Sequence, residues 1–393
     1  MIATFPEQRE AKRQALLDAV ENLRGVFLAG SDEAEATGTL PQSTVDAIYE
    51  SGLFSFKTPE VLGGAEADAM IQLDVIEAAS RIESSVGWCL MIGAGTLANM
   101  GAFLCDEALE EVFAGGKPPR AAGVAAPSGQ ATPVEGGYRV SGKWAFASGV
   151  RHAHWVAGGA MVVGGNPDSP QQIRLVVPTS QVTIHDNWHV VGLRGTGSCE
   201  YSMDNVFVPQ RFTWGGAEAR PQRGGPNFLL GRPGMQTTGH CGFALGVGRR
   251  ALDEVTELAL SKKRGYRGSE MLVADRGSFQ RFLGESDLRL RASKALCLET
   301  IEEAWESVCQ GITPPPPLQA RMRASGSFST EESTHVVNQA FRFGGGSSMY
   351  SGHVLEKCLR DIHASAQHQM VSDRAYENHG QFMMGFPGAN PMG

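Results

Sequence analysis

Gly136-Gly-Tyr-Arg-Val-Ser-Gly-Lys-Trp144-Ala-Phe-Ala-Ser-Gly149 is the stretch on which the reading of this chain turns. From Gly137 to Lys143 it has the Gly-x-x-x-x-Gly-Lys spacing of a phosphate-binding loop. Such a loop needs Ser or Thr after the lysine to hold Mg²⁺, and a helix to follow. Here Trp144 follows, and Tyr138 and Val140 alternate with Arg139 and Ser141. That alternation reads as a strand ending in an aromatic turn. No Gly-x-Gly-x-x-Gly follows a strand, so a Rossmann nucleotide site is excluded.

Outward from this strand, the period of two continues from about Arg120 to Arg220. Trp155-Val-Ala-Gly, Ala160-Met-Val-Val, Ile173 to Pro178, Val182-Thr-Ile and Val206-Phe-Val-Pro209 are short strands bounded by turn residues. Several short strands without intervening helices predict a small barrel or sandwich. The flanks switch to helical spacing. On the N-terminal side, helices are predicted at Ala11–Val26, after Pro41 to Gly52, from Asp68 into Ala79, over Ser84–Leu104, and from Asp106. On the other side they are predicted at Leu245–Leu260, at Ser278–Val308 with Phe282, Leu288, Ala292, Ala295, Ile301 and Val308 inward, near Thr330–Phe341, and at Val354–Met370. Pro314 to Pro317 reads as a rigid connector. The expected class is α+β: an N-terminal helical domain over 1–119, a central β-barrel domain over 120–225, and a C-terminal four-helix bundle domain over 226–393.

The 393 residues, 42% hydrophobic and 19% charged, can bury a large core. A net charge of −8 argues against nucleic acid as a partner, because phosphate binding needs a basic face. Seven cysteines without Cys-x-x-Cys spacing form no disulfide framework or zinc site, and a reduced cytoplasm suits them. The ten histidines are dispersed with no His-Glu-x-x-His, so no metal is expected. Apolar stretches are read as broken before the roughly 20 residues of a membrane span, and no secretory signal is read at the start.

Two local signals remain open to two readings. Trp144 to Trp155 gathers two Trp, one Phe, Ser148, His152 and His154. It is either aromatic core with a turn, or a wall for a flat, partly polar ring. Gly344, Gly345 and Gly346 follow a helix, as a cap or as a close approach to phosphate. His363 and His368, five apart on one helix, would point roughly 140° apart and make poor co-ligands.

Taken in order, these pieces resemble the acyl-CoA dehydrogenase superfamily over nearly the whole chain. The matching pieces are Ser51-Gly-Leu-Phe with Pro59 to Gly64, Ala126-Pro127-Ser-Gly129, Gly136 to Trp144, Gly192-Leu-Arg-Gly-Thr-Gly-Ser198, Val206 to Pro209, and Gly345 through Leu359-Arg360-Asp361. The resemblance implies flavin between barrel and bundle, and a homotetramer. Dehydrogenation of an acyl thioester needs a carboxylate base for the α-proton. The dehydrogenases commonly place a Glu about eight residues after the Arg-Asp pair, where this chain has Gln369. A second lineage places it on the first bundle helix, but no carboxylate lies between Glu218 and Asp253.

The chain looks more like the branch of flavin-dependent monooxygenases that are oxygenase components of two-component systems. Trp144-Ala-Phe146-Ala-Ser148-Gly149 looks like that branch's Trp-x-Phe-x-Ser-Gly, whose Ser lies against the flavin. Arg360 to His368 looks like its helix ending in an active-site His, and Ser85-Val-Gly-Trp88 like its Ser-x-Gly-Trp helix start. Some members carry a further His eight residues after that Trp, and here Thr96 stands instead. The resemblance thus implies reduced FMN or FAD from a partner reductase, O₂, and a flavin hydroperoxide that oxygenates a small aromatic or heterocyclic substrate. It implies His368 and Ser148 as catalytic residues. Trp144, Phe146, Ser148, Pro127, Gly344 and Gly345 would bind flavin, and Trp88 and Thr96 would line the substrate pocket. Arg360-Asp361 is expected to be a structural ion pair. The rival readings are an acyl-CoA dehydrogenase with a displaced base, and a non-catalytic flavin-binding or scaffold homologue.

Overall fold

The computed structural model describes residues 5–165, 170–215 and 219–392. Its first helices are α1 (Arg9–Asn22), α2 (Arg24–Ala29), α3 (Ser31–Thr37), α4 (Gln42–Glu50), α5 (Ala69–Ile82), α6 (Ser84–Phe103) and α7 (Asp106–Val112). Strands follow: β1 (Ala121–Val134), β2 (Gly137–Trp144), β3 (Trp155–Val162), β4 (Gln172–Pro178), β5 (Thr183–Ile184), β6 (Tyr201–Pro209) and β7 (Thr213–Gly215). The long helices α8 (Gly231–Ser261), α9 (Gly277–Cys309) and α10 (Pro316–Gly344) come next, then α11 (Val354–Ser365) and α12 (Arg374–Met383). Two compact units result. One joins Met1–Asp68, Trp88–His189 and Arg194–Leu229; the other joins Ala69–Gly87, Val190–Leu193 and Leu230–Gly393.

The first unit is built on one seven-stranded sheet in the order β5-β6-β2-β1-β3-β4-β7. The expected barrel is corrected to an open sheet: β5 and β7, of two and three residues, are its edges and do not pair with each other. β1 is the longest strand and was not foreseen, because its Ala, Gly, Pro and Ser have little strand preference. It pairs antiparallel with β2 and parallel with β3, and its register breaks between Val124 and Gly129. The sheet's core holds Trp144 and Tyr201, both fully buried, with rings stacked 5.2 Å apart. Gly129 and Gly142 are required there, since a Cβ on either would meet the Trp144 ring.

In the second unit α5, α9, α10 and α11 pack along α8. Gly242 and Gly246 allow α5 to approach, because a Cβ at either would stand 2.5 Å from the carbonyl of Leu73 or Glu77. α8 begins at Gly231, well before the expected Leu245, with Pro233 in its first turn, where the missing N–H costs nothing. α10 likewise starts inside the proline run taken for a connector. The inward face of α9 is corrected too. Phe282, Ile301 and Val308 are buried, but Leu288, Ala292 and Ala295 face out, and Ser286, Leu290, Ser293 and Cys297 fill the register. The small serines hid that stripe. One further correction concerns α6, which by length and composition alone could cross a membrane; 78% of its apolar window is buried inside the protein.

Candidate active site

In the first unit, β2 ends at Trp144 and the chain turns sharply. Phe146 has φ +67° and Gly149 φ +73°. The amides of Ala147 and Gly149 donate to the carbonyls of Cys199 and Thr196, fixing the turn against the neighbouring segment. The turn sends Ser148 inward, 3% exposed, and Phe146 outward, 72% exposed. Of the expected aromatic wall, only Phe146 offers a face, its ring edge-on to Trp188 at 6.1 Å. Trp144 has no exposed surface, and its Nε1 donates to the Gly159 carbonyl at 2.9 Å, so it supports the turn from beneath.

Ser148 heads a hydroxyl relay. Its Oγ accepts from Trp88 Nε1 at 3.0 Å and lies 2.7 Å from Ser198 Oγ, itself 2.7 Å from Thr196 Oγ1. Ser148 and Ser198 hydrogen-bond no charged side chain among the described residues. A hydroxyl has one proton and two lone pairs. If Ser198 donates to Ser148, the Ser148 proton is left for an outside acceptor; if the direction reverses, a lone pair is left for an outside donor. Gly192 to Ser198 carries the family resemblance, but its spacing does not show that Thr196 and Ser198 back Ser148.

Pro127 is half-buried in the excursion of β1 between Val124 and Gly129, where Arg174 donates to the Ala125 carbonyl. Trp88 is buried, and Thr96 is half-buried with its methyl toward Gly123. His152 and His154 do not share an extended segment, since His152 closes a 3-10 turn. Both attend Arg120 instead: its Nε donates to the His152 carbonyl, and its Nη2 is 3.0 Å from His154 Nε2.

In the second unit α11 ends at Ser365, so His363 and His368 do not share a helix. His363 pairs with Asn338 at 2.9 Å. His368 starts a 3-10 turn, and its Nδ1 accepts the Met370 amide at 3.2 Å. The proton of the neutral ring therefore sits on Nε2. Burial, then the charges of Arg232 and Arg323, push its pKa down to about 4, so the ring is neutral at pH 7. The His240 ring lies 4.4 Å away. Arg323 is held by the carbonyls of Gln369 at 2.6 Å and Met392 at 2.9 Å. Sequence reasoning missed His240, Arg232 and Arg323, because helix-to-helix contacts leave no local spacing signal.

Arg360 and Asp361 each bind further partners. Arg360 binds Glu356 and the Val191 carbonyl. Asp361, fully buried, accepts from Ser84 and from the Leu193 amide at 2.6 Å, and lies 3.5 Å from Lys357 Nζ. Lys357 is also 3.0 Å from the buried Glu83. Gly344 and Gly345 close α10: Gly345 takes φ +63°, and its amide donates to the Arg342 and Phe341 carbonyls. Two cations line this cap. Lys262 donates to the Gly344 carbonyl at 2.7 Å, and a Cβ on Gly345 would strike the Arg264 guanidinium. Burial, then Arg264, lowers the Lys262 pKa.

In the first unit, Ser148 and Phe146 offer an uncharged hydroxyl and an exposed aromatic face, groups that suit a flavin ring. Comparison with known proteins identifies the family. The N-terminal domain model of the acyl-CoA dehydrogenases matches residues 10–112, and their C-terminal domain model matches residues 238–373. This chain belongs to the acyl-CoA dehydrogenase superfamily. Within the superfamily its relatives are flavin-dependent monooxygenases, and the chain stands on that branch. It is 29% identical to the indole-3-acetate monooxygenase of Pseudomonas putida, over 95% of this chain and 93% of that protein. It is 27% identical to the flavin-dependent monooxygenase, oxygenase subunit HsaA, of Mycobacterium tuberculosis, over 99% of this chain and 100% of that one. Among solved structures, XiaF from Streptomyces sp. in complex with FADH2 and glycerol shares a TM-score of 0.81 at 26% identity, covering 95% of this chain and 96% of its own.

Proposed function

We propose that this member of the superfamily is the oxygenase component of a two-component monooxygenase. It takes reduced FMN or FAD from a separate reductase and adds oxygen from O₂ to a small aromatic or heterocyclic compound. The flavin, when bound, supplies the electrons and the reaction with O₂. Ser148 offers it one hydrogen bond, polarised by the uncharged Trp88 and Ser198. Phe146 presents its exposed face to the ring. Trp88 and Thr96 line the substrate side. His368 acts as a neutral Nε2–H donor to an oxygen, since its lowered pKa and its Nδ1 bond disfavour a cationic role.

The observation that carries this reading is the relay ending at Ser148, an uncharged donor or acceptor suited to a ring nitrogen. A dehydrogenase would instead need a carboxylate base; where one aligns, this chain has the exposed Gln369, whose amide cannot take the proton. We further place the protein as a homotetramer, by the family resemblance, and in the cytoplasm, on the support of its seven free thiols. We keep the three-domain division at 119/120 and 225/226 on the same resemblance.

Anaerobic titration with photoreduced FMN and FAD, then mixing with O₂, tests the function. Tighter binding of reduced than oxidised flavin is expected, and Ser148→Ala should release more H₂O₂ per flavin reoxidised than wild type. Tight oxidised flavin that acyl-CoA thioesters bleach would return the protein to the dehydrogenases.

A further inference from the structure

Beneath the Ser148 turn, within the first unit, lies a cavity of about 20 Å³, room for one or two molecules the size of water or dioxygen. Leu40, Val45, Phe54, Cys89, Ala121 and Ala153 supply its apolar lining. Its polar neighbours are committed to one another except for the one position that Ser148 keeps, too few partners to hold a water. Ser148 is bound by Trp88 and Ser198. His152 Nε2 is 3.0 Å from Thr39 Oγ1, and the ring also meets the Leu40 backbone. Arg120 is spent on the His152 carbonyl, His154 and Asp46. The Cys89 thiol donates to the Thr196 carbonyl, and burial pushes its pKa up to about 12, so it remains an uncharged thiol.

A buried water needs two to four polar partners, and apolar cavities without them stay dry yet accept gases. Dioxygen is uncharged, apolar and small, and the reaction proposed above consumes it. We infer that this cavity is a dioxygen-holding site, which delivers O₂ past the Ser148 hydroxyl to the bound flavin. The inference rests on the monooxygenase reading, which places flavin against Ser148. It assigns Val45 and Ala153, which neither touch Ser148 through a hydrogen bond nor belong to the relay, a role in the rate of reaction with O₂.

Crystals of the full chain under xenon pressure, together with stopped-flow reoxidation of the reduced-flavin complex at several O₂ concentrations, provide the test. Xenon should occupy the cavity in wild type. Ala153→Leu and Val45→Phe, which fill it, should exclude xenon and lower the second-order rate with O₂ several-fold, with reduced-flavin affinity unchanged. Ala153 is half-buried and is the milder change should Val45→Phe fail to fold. A wild-type cavity without xenon overturns the inference, as does a filled variant that reoxidises at the wild-type rate. Xenon in the cavity of a protein that binds no reduced flavin would instead sink the functional reading, and this role with it.

Discussion

The surroundings of Ser148 and of His368 are built from opposite materials. Ser148 is fixed by neutral donors alone: an indole, two further hydroxyls, and a turn pinned by backbone amides. His368 stands among cations, Arg232 and Arg323, and the preceding helix α11 is anchored by buried charges, Asp361 with Lys357 and Glu83. Neutral hydrogen bonds hold a side chain at modest strength and let a proton be shared in either direction. Buried charges hold far more firmly, because removing one leaves its partner uncompensated in a poor dielectric. The contrast is between an adaptable hydroxyl in the first unit and a neutral imidazole among fixed charges in the second.

That contrast is easiest to break at Asp361. Asp361→Ala should cost about 3–5 kcal/mol, since it takes away the buried acceptor of Ser84 and the Leu193 amide and one of the carboxylates facing Lys357. Ser198→Ala, the matching deletion on the neutral side, should cost only about 1–3 kcal/mol. Denaturant unfolding of both variants checks this; equal costs would erase the distinction. Leu193, at φ +54°, should be the first backbone to relax in the Asp361 variant.

The next effect is smaller and depends on pH. His368 has a folded pKa of about 4 against an ordinary 6.5, so between those values the unfolded chain binds more protons than the folded one. Stability therefore rises with pH across that window, by about 3 kcal/mol at most from this group. The contribution is complete above pH 6.5 and lost as pH falls toward 4. His368→Gln should flatten that slope, as measured by unfolding at pH 4.5, 5.5 and 7. A slope that survives the substitution would mean that other groups carry it. No such dependence should arise from the Ser148 relay.

The smallest effect concerns the Ser148 turn itself. Phe146 is a non-glycine residue in the left-handed region with most of its ring exposed. Phe146→Gly should relieve that strain, for a gain of up to about 1 kcal/mol. It should also weaken flavin binding, because the only exposed aromatic face of the turn is lost. A thermal melt and a flavin titration on the same variant would separate the two effects. Unchanged flavin affinity would remove Phe146 from the proposed site.

Much of this protein was settled by sequence alone. Period-two alternation placed β2, β3, β4 and β6, and helical spacing with cap signals placed α4 and α9, because both depend on neighbours a few residues apart. Ordered family segments carried the fold. Only the tertiary structure decided that the sheet stays open, that Trp144 lies in the core, and that Leu288 rather than Leu290 faces outward. It alone paired Ser148 with Trp88, 60 residues away, and Ser84 with Asp361, 277 away. Those facts rest on which surfaces meet after folding. Ala- and Ser-rich segments such as β1 and the inner face of α9 carry too little hydrophobic contrast to announce that from the chain.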